Sequence, residues 1–534
     1  MFQTLIKGAM IVDGTGAPEF QGDIGIQDGK LHVLEANSNA PAENIIDATG
    51  LYVTPGFIDA HAHGDSTYGH DYNYLSKISQ GITTQVTGHC GQSLFPIHPD
   101  TMAMLQHEQK IQTNEFPEEM ITFTNCENFM KFAETVKHPE NIVFMVGHVA
   151  LRNAVMGFDD RKPTEAEMEQ MKSMLREAME NGAAGFSTGL IYVPCSYAEE
   201  DEIVELCKVV AEYDGIYTTH MRNESTKVYE AIEEAISVAK KSGVRLQISH
   251  LKIATVEKWG DSVRILDLIH RAKEEGVRIT ADQYPYTASS THLYVCVPPK
   301  YFNEGIEKVA ELLQDPVMRE TIKKEMYDPA TPYDNYYLNA GGWKGIFISS
   351  AAATPDAEGK TIAEYAEEKG IDGFDAFCEI MIANDCIAPS IYFCISEEDL
   401  FRIAKDENVV VGTDAIPKSF VERTHPRAYG AFPRAIRYYV KENGILTLPE
   451  MIRKMTSKTA EIYQLAGKGM IADGYDADPV IFDYGKITDT ADFMHPLTKA
   501  EGIEYVLVNG EVVYKDMELT GAMPGKVIRF NQKV

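Results

Sequence analysis

Eight times along this chain a short apolar, β-rich run ends in polar residues. The runs are YVTPGFIDAHAH (52–63), ITTQVTGHC (82–90), NIVFMVGH (141–148), GAAGFSTG (182–189), GIYTTHM (215–221), VRLQISHLK (244–252), VRITADQY (277–284) and VVVGTDA (409–415). Stretches with helical spacing separate many of them. Strands that alternate with helices pair in parallel, because a parallel neighbour needs a crossover. The expected fold class is therefore α/β, as a (β/α)8 barrel of the TIM type, with its site at the C-terminal ends of the strands. Helix starts are also readable. Thr164-x-x-Glu167 is a capping box ahead of Met168, Met171, Leu175 and Met179. Ser196-x-x-Glu199 and Thr447-x-x-Glu450 are expected to open two more helices.

The two ends have a different texture. Asp28-Gly29 and Asn509-Gly510 each lie between two β-rich runs, which is a hairpin signal. Isolated hairpins are marginal, so residues 1–55 and 470–534 are expected to pair into one small β-sandwich domain. Residues 56–469 form the expected catalytic barrel. The connection between the seventh and eighth runs is far longer than one crossover needs. Residues 287–405 are read as an inserted subdomain on the active-site side, able to act as a lid.

The polar residues that close the runs are the site candidates: His61, His63, Cys90, His148, His220, His250, Asp282 and Asp414. Histidine is only 15 of 534 residues, yet five histidines close four of the eight runs, an enrichment that resembles a metal site. His61 and His63 are two apart on a strand, so both rings point the same way and can grip one ion. His220 and His250 lie one βα unit apart, at equivalent strand ends, and neutral imidazole is a zinc ligand. Asp414 ends the eighth strand. In a closed barrel that strand abuts the first, which places a carboxylate opposite His61 and His63. GFSTG (185–189) matches the G-x-S-x-G nucleophile elbow, but that motif needs a helix straight after the serine. LIYVPCS follows instead, so Ser187 is not read as a nucleophile.

Charge narrows the partners. A formal net charge of −31 argues against nucleic acid and anionic membranes. No run of apolar residues is long enough to span a bilayer, and the N-terminus lacks a secretion signal. The eight cysteines form no C-x-x-C pair and suggest a reducing cytoplasm. Oligomeric state leaves no trace in the sequence.

Taken together, GFIDAHAHGD, GHCGQS, GFSTGLIYVP, THMRNES, ISHLK, DQYPYTASS, GTDAIP and HPRAYGAFPR resemble the amidohydrolase superfamily, and within it the D-aminoacylases (N-acyl-D-amino-acid deacylases). The likeness runs over nearly the whole chain. It implies zinc-dependent cleavage of N-acyl-D-amino acids, small-molecule substrates, to a carboxylate and a free D-amino acid. It implies a tight zinc site on Cys90, His220 and His250, and a second, weaker metal site on His61, His63, Asp414 and the shared Cys90. Asp414 would be the catalytic acid/base. Lys252, Tyr284 and Arg427 would hold the substrate carboxylate, with Tyr192 and Ser289 lining the pocket. The connection between strands seven and eight looks longer than the family's usual.

The residues themselves support that chemistry. Zinc lowers the pKa of the water it holds to about 7 and polarises a carbonyl. Asp414 can take the water proton and deliver it to the departing amine. Lys252 lies two residues beyond His250, on the same side of a continuing strand. Arg427 can fork onto a carboxylate. The rival within the superfamily is a cyclic-amide hydrolase of the dihydroorotase or hydantoinase kind, which uses a carboxylated strand-four lysine to bridge two metals. GAAGFSTGL has no lysine, and Cys90 would fill that electrostatic role as a thiolate. D-peptide or isoaspartyl-type hydrolysis needs the same metal chemistry. A non-enzymatic barrel scaffold would be expected to lose ligands.

Overall fold

The computed structural model describes residues 1–97, 123–303, 305–416 and 423–530. All eight runs fold as strands, and every recorded pairing among them is parallel. They are Phe57–Ala62, Ile82–Thr87, Asn141–Phe144 continued by Val146–Gly147, Gly185–Gly189, Ile216–His220, Arg245–Ile248, Ile279–Gln283 and Val409–Val411. They pair in sequence order in two ladders, one of three strands and one of six, with Met145 between them. Met145 N donates to Thr87 O at 3.0 Å. At the other edge Ala62 bridges Ala415 in parallel, and Asp414 N donates to His61 O at 2.7 Å. These strands are buried on both faces, as parallel strands flanked by helices require.

Helices pack outside the strands through the apolar stripes seen in the sequence. Met171, Leu175 and Met179 of helix Glu165–Glu180 are buried, and Thr164 and Glu167 form the capping box. Thr447 and Glu450 form another, at helix Leu448–Met455. The Ser196 expectation fails. Helix Glu200–Glu212 starts after Glu199, with no side-chain cap, and Ser196 lies in a short 3-10 turn that ends at Tyr197. Ser196 N–H instead donates to Tyr192 O at 2.8 Å, so it is not offered to Glu199, and the Arg222 guanidinium donates to the Ser196 and Ala198 carbonyls.

Both chain ends contribute to one mixed sheet of nine strands, in which Tyr52–Pro55 pairs antiparallel with Pro479–Phe482. The two hairpins are present: Gln27 pairs Lys30 around Asp28-Gly29, and Val508 pairs Glu511 around Asn509-Gly510. Asp28 and Asn509 have φ of 51° and 48°, as such two-residue turns demand. Between the seventh and eighth strands the chain forms its own three-stranded antiparallel sheet, Ser289–His292, Pro389–Tyr392 and Ile346–Ile348, with helices beside it. Its first strand carries Ser289 to the edge of the pocket described next.

Candidate active site

The sequence candidates converge at the C-terminal ends of the parallel strands. Cys90 Sγ lies 3.3 Å from His61 Nε2 and 3.5 Å from His250 Nε2. Asp414 Oδ1 lies 3.1 Å from His63 Nε2 and 3.3 Å from His61 Nε2. Ligand atoms of His61, Cys90, His250 and Asp414 all fall within 4.8 Å of one another, and those of His220, Glu224 and His250 form a second such group. All seven residues, His63 included, are buried. This is a metal-binding cluster.

Its parts fit a zinc-type ion. Neither ring nitrogen of buried His220 makes a hydrogen bond, although Nε2 stands 3.5 Å from Glu224. A buried polar ring without a partner is costly, and a cation would satisfy it. Asp282 Oδ1 is 3.1 Å from His61 Nδ1, which leaves Nε2 facing the cluster. The same carboxylate accepts from His250 N and Gln247, so Asp282 is a support rather than a ligand. Burial alone would raise the Cys90 thiol. The charges of His61 and His250, with the His250 ring nitrogen 3.5 Å from the sulfur, outweigh it and hold the thiol well below its ordinary value. Cys90 therefore offers a thiolate. Burial would also raise the Asp414 carboxyl, but Arg427, His250 and His61 keep it well below the usual carboxylate range.

The local fold explains GFSTG without a nucleophile. Ser187 Oγ donates to Gly88 O at 2.6 Å and accepts from Gly91 N at 3.0 Å, bracing the turn that carries Cys90. A Cβ on Gly189 would stand 2.2 Å from Cys90 O. Cys90, His250 and Asp414 all have positive φ, of 52°, 36° and 50°.

The substrate-binding candidates line one pocket with the cluster: Tyr192, Lys252, Tyr284, Ser289 and Arg427. Two of them already have anionic partners. Lys252 Nζ lies 2.7 Å from the Glu224 carboxylate and 2.8 Å from His250 Nδ1. Arg427 Nη1 donates to Asp414 Oδ2 at 2.7 Å, and its guanidinium stacks 4.7 Å over the Tyr284 ring. The buried Tyr284 hydroxyl makes no hydrogen bond. Tyr192 packs its ring 5.2 Å from that of His220 and its hydroxyl 3.2 Å from Thr291. Ser289 Oγ faces Cys394 Sγ at 3.6 Å. His148 stands apart from this group, bonded to Glu202 at 2.9 Å beside Arg152.

Comparison with known proteins decides the family. Residues 44–514 match the amidohydrolase family. The chain belongs to that family. This amidohydrolase is 33% identical to a D-aminoacylase of Alcaligenes xylosoxydans xylosoxydans, over 99% of its own length and 97% of the relative's. It is 34% identical to an N-acyl-D-aspartate deacylase of the same organism, over 98% and 94%. A crystal structure of an N-acyl-D-glutamate deacylase from Bordetella bronchiseptica, complexed with zinc and a phosphonate mimic of the tetrahedral intermediate, superposes with a TM-score of 0.83 at 32% identity, covering 99% of both chains. A D-hydantoinase shares the fold, with a TM-score of 0.55 at 16% identity.

Sequence reasoning passed over Glu224 in this amidohydrolase. Its carboxylate touches both His250 Nδ1, at 2.9 Å, and Lys252. The hint was present: Glu224 follows His220 by four residues in THMRNES, and a strand-end loop can fold such a residue back under the ligand.

Proposed function

We propose that this amidohydrolase is a metal-dependent hydrolase of linear amides that cleaves N-acyl-D-amino acids to a carboxylate and a free D-amino acid. The observation that carries this reading is the cluster of His61, Cys90, His250 and Asp414 with Arg427 bound to its carboxylate. The kinship with D-aminoacylase and with two acidic N-acyl-D-amino-acid deacylases supports the substrate class. We read the eight strands as one closed (β/α)8 barrel, on the seams at Met145 and Ala62–Ala415. The terminal strands make an accessory β-sandwich (1–55 with 470–534), and 287–405 is an insertion into the barrel (56–469). No helix among the described residues is long and apolar enough to cross a membrane, and all eight cysteines are buried and outside any disulfide, in keeping with a cytoplasmic place.

Cys90, His220 and His250 would hold one zinc ion tightly; His61, His63, Asp414 and Cys90 would hold a second more weakly. When bound, zinc supplies a Lewis acid for the amide carbonyl and a more acidic water. Asp414, kept ionised by Arg427, accepts the proton of the attacking water. It then delivers that proton to the amide nitrogen as the C–N bond breaks, so the amine leaves neutral. Arg427 and Lys252 provide positive charge for the substrate carboxylate, and Tyr284, whose buried hydroxyl has no hydrogen-bond partner, lines the same pocket. Tyr192 and Ser289 shape the wall. Glu224 fixes the His250 ring through Nδ1.

A cyclic-amide hydrolase is the weaker reading. The fourth strand, GFSTG, has no lysine to carry a bridging carbamate, and Ser187 serves the Cys90 turn. The test is turnover of N-acetyl-D- and N-acetyl-L-amino acids, hydantoin and dihydroorotate by zinc-loaded enzyme. D-acyl substrates alone are expected to react. Preference for a ring or an L-substrate would overturn the proposal.

A further inference from the structure

Free space at the metal cluster is small. The catalytic pocket holds about 70 Å³, room for on the order of five waters. Beside it lies a cavity of about 530 Å³, within the size range of pockets that bind whole ligands. Tyr336 lines both spaces. A narrow third space of about 20 Å³ also lies between them. It shares Tyr192 and His292 with the catalytic pocket, and Val193, Tyr294 and Ile306 with the large cavity.

The large cavity is built for an apolar occupant. Leu190, Val297 and Phe302 are among its walls. The cations on its lining have anionic neighbours already. Arg222 is paired with Glu234 and donates to Ser196 O and Ala198 O, and Lys300 is paired with Glu325. Asp334 accepts from Glu224 N and Ser225.

The direction of the substrate selects which part enters. The scissile carbonyl must sit at the cluster, with its two substituents leaving on opposite sides. Arg427 and Tyr284 mark the side of the amino-acid carboxylate. Tyr192 packs on His220 and opens the other side, toward the narrow space and the large cavity. In that orientation the α-carbon side chain would branch near Arg427 and the acyl chain would run toward Tyr192.

We propose that this cavity is an acyl-chain subsite, and that the enzyme acts preferentially on D-amino acids carrying medium-length fatty acyl groups. The inference rests on the deacylase reading above and adds the acyl class to it. Each methylene buried there contributes roughly fourfold to kcat/KM until the cavity is full.

The experiment is an acyl series on D-methionine, from acetyl through butanoyl, hexanoyl and octanoyl to decanoyl, with zinc-loaded wild type, Ile306→Glu and Ile306→Leu. Ile306 lines the narrow space and the cavity and stands outside the metal cluster. In wild type and Ile306→Leu, kcat/KM is expected to climb along the series. Ile306→Glu is expected to abolish the climb and leave the N-acetyl rate unchanged. A flat or falling series in wild type would overturn the proposal. So would a climb that instead follows the D-side chain, from alanine to norleucine at constant acetyl, and disappears in Ile306→Glu. Calorimetric binding of decanoate to the zinc-loaded protein gives an independent readout. Decanoate binding lost in Ile306→Glu supports the subsite even if every N-acyl-D-amino acid is inert, a result that would sink only the deacylase reading. Equal decanoate binding by both proteins would overturn the subsite.

Discussion

Replacing Glu224 by glutamine removes a charge and almost no volume. The native carboxylate lies 2.9 Å from His250 Nδ1 and 2.7 Å from Lys252 Nζ, and all three residues are buried. Two effects of different kinds are expected. Lys252 is left buried without a counter-ion, which costs about 3–5 kcal/mol of folding stability. His250 loses the carboxylate that orients its ring, which weakens metal binding about 10–100-fold. The double variant Glu224→Gln/Lys252→Met separates them. It has no lone buried charge, so most of the stability returns, while metal affinity stays low. Denaturant unfolding of the metal-free proteins reads the first effect, and zinc titration against a competing chelator reads the second. Wild-type zinc affinity in Glu224→Gln would refute the positioning role. Equal instability of the single and double variants would refute the ion-pair account.

Asp414→Asn is expected to keep zinc in the tight site and lower kcat about 10²–10⁴-fold, the usual worth of a general base; near-native turnover would remove Asp414 from the mechanism. Arg427→Met should raise KM for N-acyl-D-amino acids. It should also move the acidic limb of the pH–rate profile upward, because Arg427 is the leading charge that holds the Asp414 carboxyl down against burial. An unmoved limb would detach Arg427 from that role. Away from the site, burial pushes the Glu140 carboxyl up to about 7 from an ordinary 4.5, despite its Gln85 hydrogen bond and the charge of Lys77. The folded chain then keeps a proton that the unfolded chain releases. Stability is unaffected below the unfolded value, falls as pH climbs toward the folded one by about 3 kcal/mol, and stays low above it. Glu140→Gln should flatten that slope in melts between about pH 4 and 8; an unchanged slope would exclude Glu140 as its source.

Strand ends were legible because their signal is local. His61 and His63 follow an apolar run directly, and so do His220, His250 and Asp414. Cys90 was legible only by position, since seven other cysteines are equally buried and outside any disulfide. Partners were not legible. Lys252 reads as a cation facing substrate, yet the fold sets it on Glu224, a contact between two different loops. His148 closes a run as the ligands do, but it starts a helix and turns to Glu202. Spacing along the chain gives no sign of that rotation. The Ser196 box failed for a similar reason, because the Ser196 N–H turns back to the Tyr192 carbonyl. Strand count and order were readable throughout; the accessory sheet followed from two turns, Asp28-Gly29 and Asn509-Gly510, whose left-handed geometry few residues tolerate.

Three of the clustered residues, Cys90, His250 and Asp414, hold a backbone conformation natural to glycine. Each such position costs a side-chain-bearing residue about 1–2 kcal/mol. Glycine at any of the three would relieve that backbone strain, but it would also remove a side chain of the cluster. The cluster is a point where chemistry and stability pull apart. Side chains are thus carried where glycine would sit more easily, which ties the strain to the groups of the cluster and not to the turns themselves.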